Sequence, residues 1–211
     1  MNRTNKNLID YVTKVAIFSA LSTILYFFPK FPLPFLFPSF LDVQFSNLPA
    51  ILGGFVLGPV GGVLIVIVKT VIKLPFTSTA YVGEFADLLI GASAVIVSSL
   101  IYKKFKTKQG GIIALISGAV TWVVVAVIVN ATILIPFYIK LFFGGNIEPL
   151  VAMCKTVLPN INADNFLLVY TLGATIPFNS MLSIVVSVVT FFVYKRVSVI
   201  FKKEFFHQKN K

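Results

Sequence analysis

Few residues in this chain could form a catalytic or metal-binding site. The sequence has 211 residues but only one cysteine, one histidine and seven carboxylates. Cys154 has no partner for an internal disulfide, and we expect it to pack as a small apolar side chain. His207 lies in a basic tail, and no cysteine, histidine and carboxylate residues are spaced like the ligands of a metal ion. The sequence therefore predicts no metal and no catalytic residues, and a membrane-embedded enzyme is the least supported interpretation.

Charged residues are also scarce, whereas apolar residues are abundant. Hydrophobic residues make up 57% of the chain and charged residues 12%, and the mean hydropathy is +0.94. This composition predicts an all-α integral membrane protein in which residues 1–211 form a single transmembrane domain in the lipid bilayer. The first apolar segment has no small-residue cleavage site near its end, so we expect a retained span and not a signal peptide.

The net charge of +11 comes from basic residues that are concentrated at three places. Basic residues beside short loops prefer the cytoplasmic face of a membrane, so we expect all three clusters on that face. No nucleic-acid partner is needed to explain them. An even number of spans must then separate each pair of clusters. The clusters are Arg3, Lys6 and Lys14; Lys103, Lys104, Lys106 and Lys108; and Lys195, Arg196, Lys202, Lys203, Lys209 and Lys211.

This parity decides between one tilted helix and two short helices in the apolar stretch 48–74. One helix would place the first and second clusters on opposite faces, whereas a tight turn at Gly58-Pro59 restores an even count. Pro59 suits a helix start because its missing N–H would have no partner there anyway. The sequence therefore predicts a six-helix bundle with both termini in the cytoplasm. The predicted spans are Tyr11–Phe28, Leu48–Leu57, Val60–Leu74, Gly83–Tyr102, Ile112–Ile139 and Thr171–Tyr194.

Two segments are expected to cover the outer side of this bundle. Segment 29–47 is rich in proline and phenylalanine and cannot be helical throughout. Segment 140–170 is a long loop, and loops of this length are often lids or binding loops.

Two polar residues lie within spans near the same outer side. Asn130 is expected near the outer end of the fifth span and Asn179 near the outer start of the sixth, each about 12 Å below the rim. Polar side chains are costly in hydrocarbon and tend to be functional. The two amides could line an outward-opening pocket and bind alternating carbonyl and N–H groups, as on a flavin ring. The alternative is a structural hydrogen bond from each asparagine to the other or to backbone.

Four charged residues are expected near the same depth. Lys69 and Lys73 share one face of the third span, and Glu84 and Asp87 share one face at the outer start of the fourth. The connection between these spans is short, so the two faces can meet. We expect ion pairs between them, with a share in ligand binding as the alternative.

Several stretches resemble the riboflavin-specific S components of energy-coupling factor (ECF) vitamin transporters. Residues 79–87, Thr-Ala-Tyr-Val-Gly-Glu-Phe-Ala-Asp, are similar to the family signature Thr-Ala-Gly-Val-Gly-Glu-Leu-Ala-Asn. Residues 45–50, Phe-Ser-Asn-Leu-Pro-Ala, resemble the family's Phe-Ser-Asp-Ile-Pro-Ala, and Leu57-Gly58-Pro59 resembles its hairpin. The stretches 176–179 and 194–196 resemble the start and end of the family's last helix.

The resemblance implies a substrate-binding subunit that captures riboflavin or a related flavin outside a bacterial cell membrane. Such a subunit delivers the vitamin inward with a transmembrane T subunit and two ATP-hydrolysing subunits. The chain has no Gly-rich phosphate-binding loop, so we expect ATP to be used by the partners and no cofactor here. Ala16 and Ala20 on the first helix match a small-residue motif with which the family docks on the T subunit.

The resemblance also implies a set of substrate-binding residues. Three positions depart from the family: Leu182 replaces a usual lysine, Asp87 a usual asparagine, and Asn47 a usual aspartate. These departures leave open an S component for a different vitamin or a nucleobase-like compound. The implied residues are Asn130, Asn179, Phe45, Asn47, Thr79, Gly83, Glu84, Asp87 and Lys69.

Overall fold

The structure, a computed structural model, describes the backbone of residues 3–209 and the side chains of residues 5–194. This part of the chain is mostly helical, as the composition predicts. Its two short strands, β1 (Phe31–Pro32) and β2 (Asp42–Val43), pair antiparallel within the first connecting segment. The long helices are α1 (Arg3–Phe27), α3 (Pro59–Lys73), α4 (Val82–Lys104), α5 (Lys108–Val129) and α9 (Ile176–Lys209), and the shorter ones are α2 (Asn47–Leu57), α6 (Ile135–Phe143), α7 (Glu148–Lys155) and α8 (Phe166–Tyr170).

A sharp turn separates α2 from α3 at the predicted position. Gly58 lies in this turn with φ of +84°, a left-handed conformation that glycine adopts without steric cost. The two helices then pack closely, because a Cβ on Gly62 would lie 2.8 Å from the Cα of Gly54. The prediction of two helices in the stretch 48–74 is therefore confirmed.

Five helical segments in the described part are long and apolar enough to cross a membrane. The short helix α2 has 11 residues, most of them buried among its neighbours, so it does not reach the usual length of a span. The six-span count and the cytoplasmic position of both termini stay predictions. The five segments are Asn5–Phe27, Pro59–Phe76, Val82–Lys104, Lys108–Phe143 and Phe166–Tyr194.

The last two predicted spans each contain a proline, and a π-helical turn carries each helix past it. The observed segments, Lys108–Phe143 and Phe166–Tyr194, extend beyond the predicted spans at their ends. Asn130–Leu134 joins α5 to α6 just before Pro136, and Thr171–Thr175 joins α8 to α9 just before Pro177. A proline lacks the N–H of a helix and clashes with the carbonyl one turn earlier. A wider π turn can absorb that defect, so the helix continues without a break.

The outer segments hold more structure than the sequence predicts. Segment 29–47 is not helical before α2 begins at Asn47, which agrees with its proline content. In contrast, the region predicted as a loop over 140–170 contains the end of α6 and the helices α7 and α8. These elements enclose a second apolar cluster, separate from the main core. Its buried members are Ile135, Leu150, Val151, Cys154, Ile161, Phe166, Tyr170 and Ala174.

The main core lies where α4 packs against α3 and α5, and where α9 packs against α2 and α5. Small and β-branched side chains at its centre, such as Ile65, Ala94 and Val186, have no exposed surface. Large apolar side chains are also numerous on the outer surface, for example Leu168 and Phe192. Apolar residues on both the inside and the outside of a helical bundle are typical of a protein surrounded by lipid.

Candidate functional site

Asn130 and Asn179 lie on neighbouring helical segments and are both buried. Asn179 accepts a hydrogen bond from the indole N–H of Trp122, with 3.0 Å between Nε1 and Oδ1. This bond links α5 to α9. Each asparagine donates its amide N–H to the carbonyl four residues earlier, Asn130 to Ala126 at 2.8 Å and Asn179 to Thr175 at 2.9 Å.

The two amides have matched depths, although they lie deeper than predicted. Asn130 precedes the helix end at Phe143 by 13 residues, and Asn179 follows the helix start at Phe166 by 13 residues. At 1.5 Å per residue this places each amide about 20 Å from its helix end, and not about 12 Å. Within residues 5–194 no hydrogen bond joins the two asparagines or reaches Oδ1 of Asn130. The side-chain carbonyl oxygen of Asn130 is therefore able to accept a hydrogen bond from a ligand.

Both asparagines are coupled to a π-helical turn. Asn130 is the first residue of one π segment, and Asn179 donates to Thr175, the last residue of the other. Single π turns inside helices occur frequently at functional sites, because they release backbone groups from the regular pattern. The segment Asn130–Leu134 also contacts α4, which carries the predicted acidic residues.

An aromatic pocket lies just beyond Asn130 towards the outer segments. It contains about 200 Å³ of space, including its open mouth. Because this figure includes space that is open to solvent, the enclosed space is much smaller, and the pocket as it stands is too small for a drug-sized ligand. The sequence did not identify it, because its walls come from four separate elements. They are Phe40, Leu134, Ile135, Tyr138, Leu150 and Tyr170.

An ion pair between a fully buried lysine and a mostly buried aspartate joins α3 to α4. Nζ of Lys69 lies 2.8 Å from Oδ2 of Asp87 and donates to Oδ1 of Asn47 at 2.7 Å and to Oγ of Ser46 at 2.5 Å. The amide of Asn47 donates weakly to Asp87 at 3.4 Å. Because burial of a charge is costly without a partner, this arrangement stabilises the lysine in the membrane interior. The predicted pairing of the two faces is confirmed for Lys69 and Asp87.

Two residues outside the predicted set complete this network. Gln44 donates to Asp87 at 3.0 Å and accepts the backbone N–H of Ser46. The network therefore attaches the end of the first outer segment to both α3 and α4. Phe45, which was predicted to help enclose a ligand, lies between these two residues and is partly buried. Ser46 belongs to the Phe-Ser-Asn stretch that resembles the family's Phe-Ser-Asp, so its place in this network could have been predicted from that stretch.

Glu84 is buried at the start of α4 but pairs with hydroxyl groups. Its Oε2 accepts from Thr77 at 2.8 Å and from Thr79 at 2.7 Å. The first turn of a helix also favours a negative charge. Lys73 instead donates to the carbonyl of Phe76, and within residues 5–194 no ion pair joins it to Glu84. The expected second ion pair between the two faces is therefore wrong.

The turn before α4 is tightly built around Thr79. Its hydroxyl accepts the backbone N–H of Gly83, and a Cβ on Gly83 would lie 2.8 Å from that oxygen. A larger residue at position 83 would displace the hydroxyl that holds Glu84. Ala80 and Tyr81 both have positive φ, +48° and +70°, which is unfavourable for residues other than glycine.

Other predicted residues fall on different surfaces. Ala16 and Ala20 are exposed on α1, where large apolar neighbours such as Ile17 are exposed as well. Leu182 is buried in the main core, one turn after Asn179.

Cys154 is buried in the second apolar cluster, and burial raises the pKa of its thiol to about 11. No group of residues in the described part could hold a metal ion. His207 lies outside the described side chains.

Comparison with known proteins gives consistent matches over almost the full chain. A family model for the substrate-specific component of ECF transporters matches residues 10–194. The chain is 32% identical over 199 residues to the riboflavin transporter RibU of Staphylococcus aureus (strain TCH60), which covers 94% of each protein. It is 24% identical over 183 residues to the riboflavin transporter FmnP of Bacillus subtilis (strain 168), covering 84% of this chain and 88% of the other.

A solved structure matches the fold as well. It is described as "Structure and mechanism of the S component of a bacterial ECF transporter", with a TM-score of 0.69 and 29% sequence identity. The match covers 92% of this chain and 99% of the other.

Proposed function

This chain belongs to the family of substrate-specific components of ECF transporters, and from that premise we propose that it binds riboflavin for uptake into the cell. The observation that carries the proposal is the 32% identity to a riboflavin transporter over 94% of both chains. The relatives are named as transporters and not as enzymes, in agreement with the sequence analysis. The chain is a multi-pass protein of a bacterial cell membrane.

We place the riboflavin site between the two helices that carry Asn130 and Asn179. The free carbonyl oxygen of Asn130 could accept an N–H of the flavin ring, since a flavin edge alternates N–H and carbonyl groups. Tyr138 and Tyr170 of the aromatic pocket offer flat apolar surface on the outer side of these amides. The pocket is too small for a flavin as it stands, so the outer segments must move to admit the ligand.

The remaining predicted residues hold the segments around the site in position. Lys69, Asn47 and Asp87 satisfy one another, so we assign them to holding the end of the first outer segment in place. Thr79 and Gly83 hold Glu84 at the start of α4. These residues position the cover of the site, and direct contact with riboflavin falls mainly to the two asparagines.

Transport requires partners that supply energy, and we propose the T subunit and two ATP-binding subunits typical of the family. Ala16 and Ala20 provide a smooth exposed strip on α1 for close approach of another helix. Capture of riboflavin from outside and delivery inward belong to the same proposal.

A second candidate is an S component for a different vitamin. Leu182 favours this candidate, because an apolar side chain occupies a position where a lysine is usual in the riboflavin-specific proteins that the sequence resembles. The side chain is buried in the core and offers no hydrogen bond.

The experiment that tests the proposal separates binding from transport. The purified chain should carry riboflavin that is visible in the absorption bands of a flavin. Cells that need external riboflavin should then grow at low riboflavin only when the chain is produced with a T subunit and active ATP-binding subunits. Inactive ATP-binding subunits should abolish growth but leave the bound flavin. A colourless protein that binds a different vitamin would support the second candidate.

A further inference from the structure

Four exposed lysines lie in and beside the connection between α4 and α5, at the end of the bundle opposite to the proposed riboflavin site. Among residues 5–194, no carboxylate lies within 4 Å of any of them. Their charge is therefore available to another molecule, and riboflavin binding makes no use of it. We call these residues the basic turn: Lys103, Lys104, Lys106 and Lys108.

Aromatic contacts bring the basic turn next to the end of the last span. The hydroxyl groups of Tyr102 and Tyr194 share a hydrogen bond, and Phe55 stacks on Tyr102 with 4.5 Å between ring centroids. Lys195 and Arg196 are the next residues along α9 after Tyr194. The end of the last span at Tyr194 therefore lies beside the basic turn.

The basic turn is short and has a fixed backbone. Only Phe105, Lys106 and Thr107 separate α4 from α5. The hydroxyl of Thr107 accepts the backbone N–H of Gly110 at 2.9 Å, and the backbone N–H of Thr107 donates to Phe105. Gly110 is required here, because a Cβ would lie 1.9 Å from the carbonyl oxygen of Phe105. The turn therefore holds the backbone of its lysines close together.

The position of the basic turn selects the kind of partner. Both flanking helices are membrane spans that end within the turn, and three residues extend the chain by about 10 Å at most. The lysines are thus confined to the headgroup layer, where phosphate groups lie. Phe105 is half-exposed with Nζ of Lys104 5.4 Å from its ring centre, and aromatic residues favour the same layer.

We propose that the basic turn binds the headgroups of anionic phospholipids in the adjoining leaflet. A preference of basic residues for the cytoplasmic face requires only an excess of Lys and Arg in short loops. A short turn with four exposed lysines within residues 103–108 offers in addition several ammonium groups to neighbouring phosphates. Each basic residue near an anionic membrane surface adds about a fivefold factor in affinity.

The test is a titration of the purified full chain in detergent, with phosphatidylglycerol or phosphatidylcholine, followed by native mass spectrometry. Orientation in the membrane plays no part in this measurement. We expect the chain to bind phosphatidylglycerol more tightly than phosphatidylcholine. Replacing the four lysines of the basic turn by glutamine should weaken phosphatidylglycerol binding by roughly tenfold or more. Replacing them by arginine should preserve it, which shows that charge and not folding is responsible.

The matched control replaces two exposed lysines at the other end of the molecule, Lys140→Gln and Lys155→Gln. This variant should bind phosphatidylglycerol like the unchanged protein, and both glutamine variants should bind riboflavin normally. The proposal is overturned by equal affinity for the two lipids, or by unchanged binding in the basic-turn glutamine variant. Displacement of the lipid by millimolar inorganic phosphate would also overturn it, because the site would then be a general anion site. Loss of uptake with intact lipid binding would assign the surface to a protein partner instead.

Discussion

The carbonyl oxygen of Asn179 is already used by Trp122, whereas that of Asn130 is free for a ligand within the described part of the chain. Asn130→Ala removes a ligand acceptor, and Asn179→Ala leaves the buried indole N–H without a partner. We expect each change to weaken riboflavin binding by about 1–3 kcal/mol. Equilibrium titration of the purified variants measures this loss. Asn7→Ala is the control, since Asn7 is exposed near the start of α1. Unchanged affinity in both buried variants would remove the proposed site.

The buried ion pair gives a prediction about folding. Lys69→Met leaves Asp87 charged and without its partner, so we expect a loss of about 3–5 kcal/mol in unfolding free energy. The double variant Lys69→Met/Asp87→Leu should recover much of this loss, because it removes both charges. Lys30→Met breaks a half-exposed pair with Asp42 and should cost less than about 1 kcal/mol. Denaturant unfolding in detergent measures all three. A single Lys69 variant as stable as the double variant would contradict the account.

Residue spacing predicted the ion-pair partner of Lys69 correctly and that of Lys73 wrongly. The pairing of Lys69 with Asp87 follows from the short connection between two faces at helical spacing. The same argument paired Lys73 with Glu84 and failed, because Thr77 and Thr79 lie closer in the turn and satisfy the carboxylate first. Hydroxyl groups close to the start of a helix compete with a more distant ammonium group for the same carboxylate. An argument from the spacing of charged residues alone does not take these hydroxyl groups into account.

The turn that precedes α4 provides a prediction at the scale of an element. Tyr81 has φ of +70° and its side chain is exposed, so the tyrosine is strained without being packed. Tyr81→Gly should stabilise the protein by about 1 kcal/mol, because glycine adopts this conformation freely. Tyr81→Ala keeps the strain and serves as the matched control. Thermal unfolding of the two variants in detergent measures the difference. A glycine variant no more stable than the alanine variant would contradict the strain.

Helix ends were less predictable than helix positions. The break at Gly58 was predicted from charge parity. Tyr81 has a left-handed backbone conformation that composition does not reveal, but the family signature has glycine at this position, and glycine adopts that conformation freely. The last two spans were predicted to run through Pro136 and Pro177, and they do. Both prolines belong to an Ile-Pro-Phe sequence that follows a π turn. Their outer ends were placed wrongly, because residues 140–143 and 166–170 continue the helices into a region that was predicted as a loop.

Transport is a property of the whole molecule, and the exposed face of α1 offers a test of it. Ala16→Trp places a bulky ring on the smooth strip that we assign to the T subunit. Riboflavin binding by the isolated chain should remain, because the residue points away from the core, whereas uptake in cells with all subunits should be lost. Ile116→Trp on the exposed face of α5 is the control and should preserve uptake. Normal uptake by the Ala16 variant would exclude docking through this strip.

The overall class of the molecule follows from its composition, but the shape of its site does not. Hydropathy and the positions of lysine predict a membrane bundle, and the family matches agree with that prediction. The aromatic pocket depends on how α7 and α8 fold over the bundle, which a loop-like sequence rich in asparagine does not specify. The burial of Asn130 and Asn179 at matched positions in two helices could thus be predicted, whereas the walls of the pocket required coordinates.

Trp122 makes the most direct measurement possible, because it is the only tryptophan of the chain and is buried against Asn179. Riboflavin bound between α5 and α9 should quench its emission. Titration of the purified, ligand-free chain with riboflavin is expected to give saturable quenching with one site per chain, and thiamine should give none. Emission that is unchanged by riboflavin, together with no bound flavin after gel filtration, would contradict the assignment of this protein as a riboflavin-binding component.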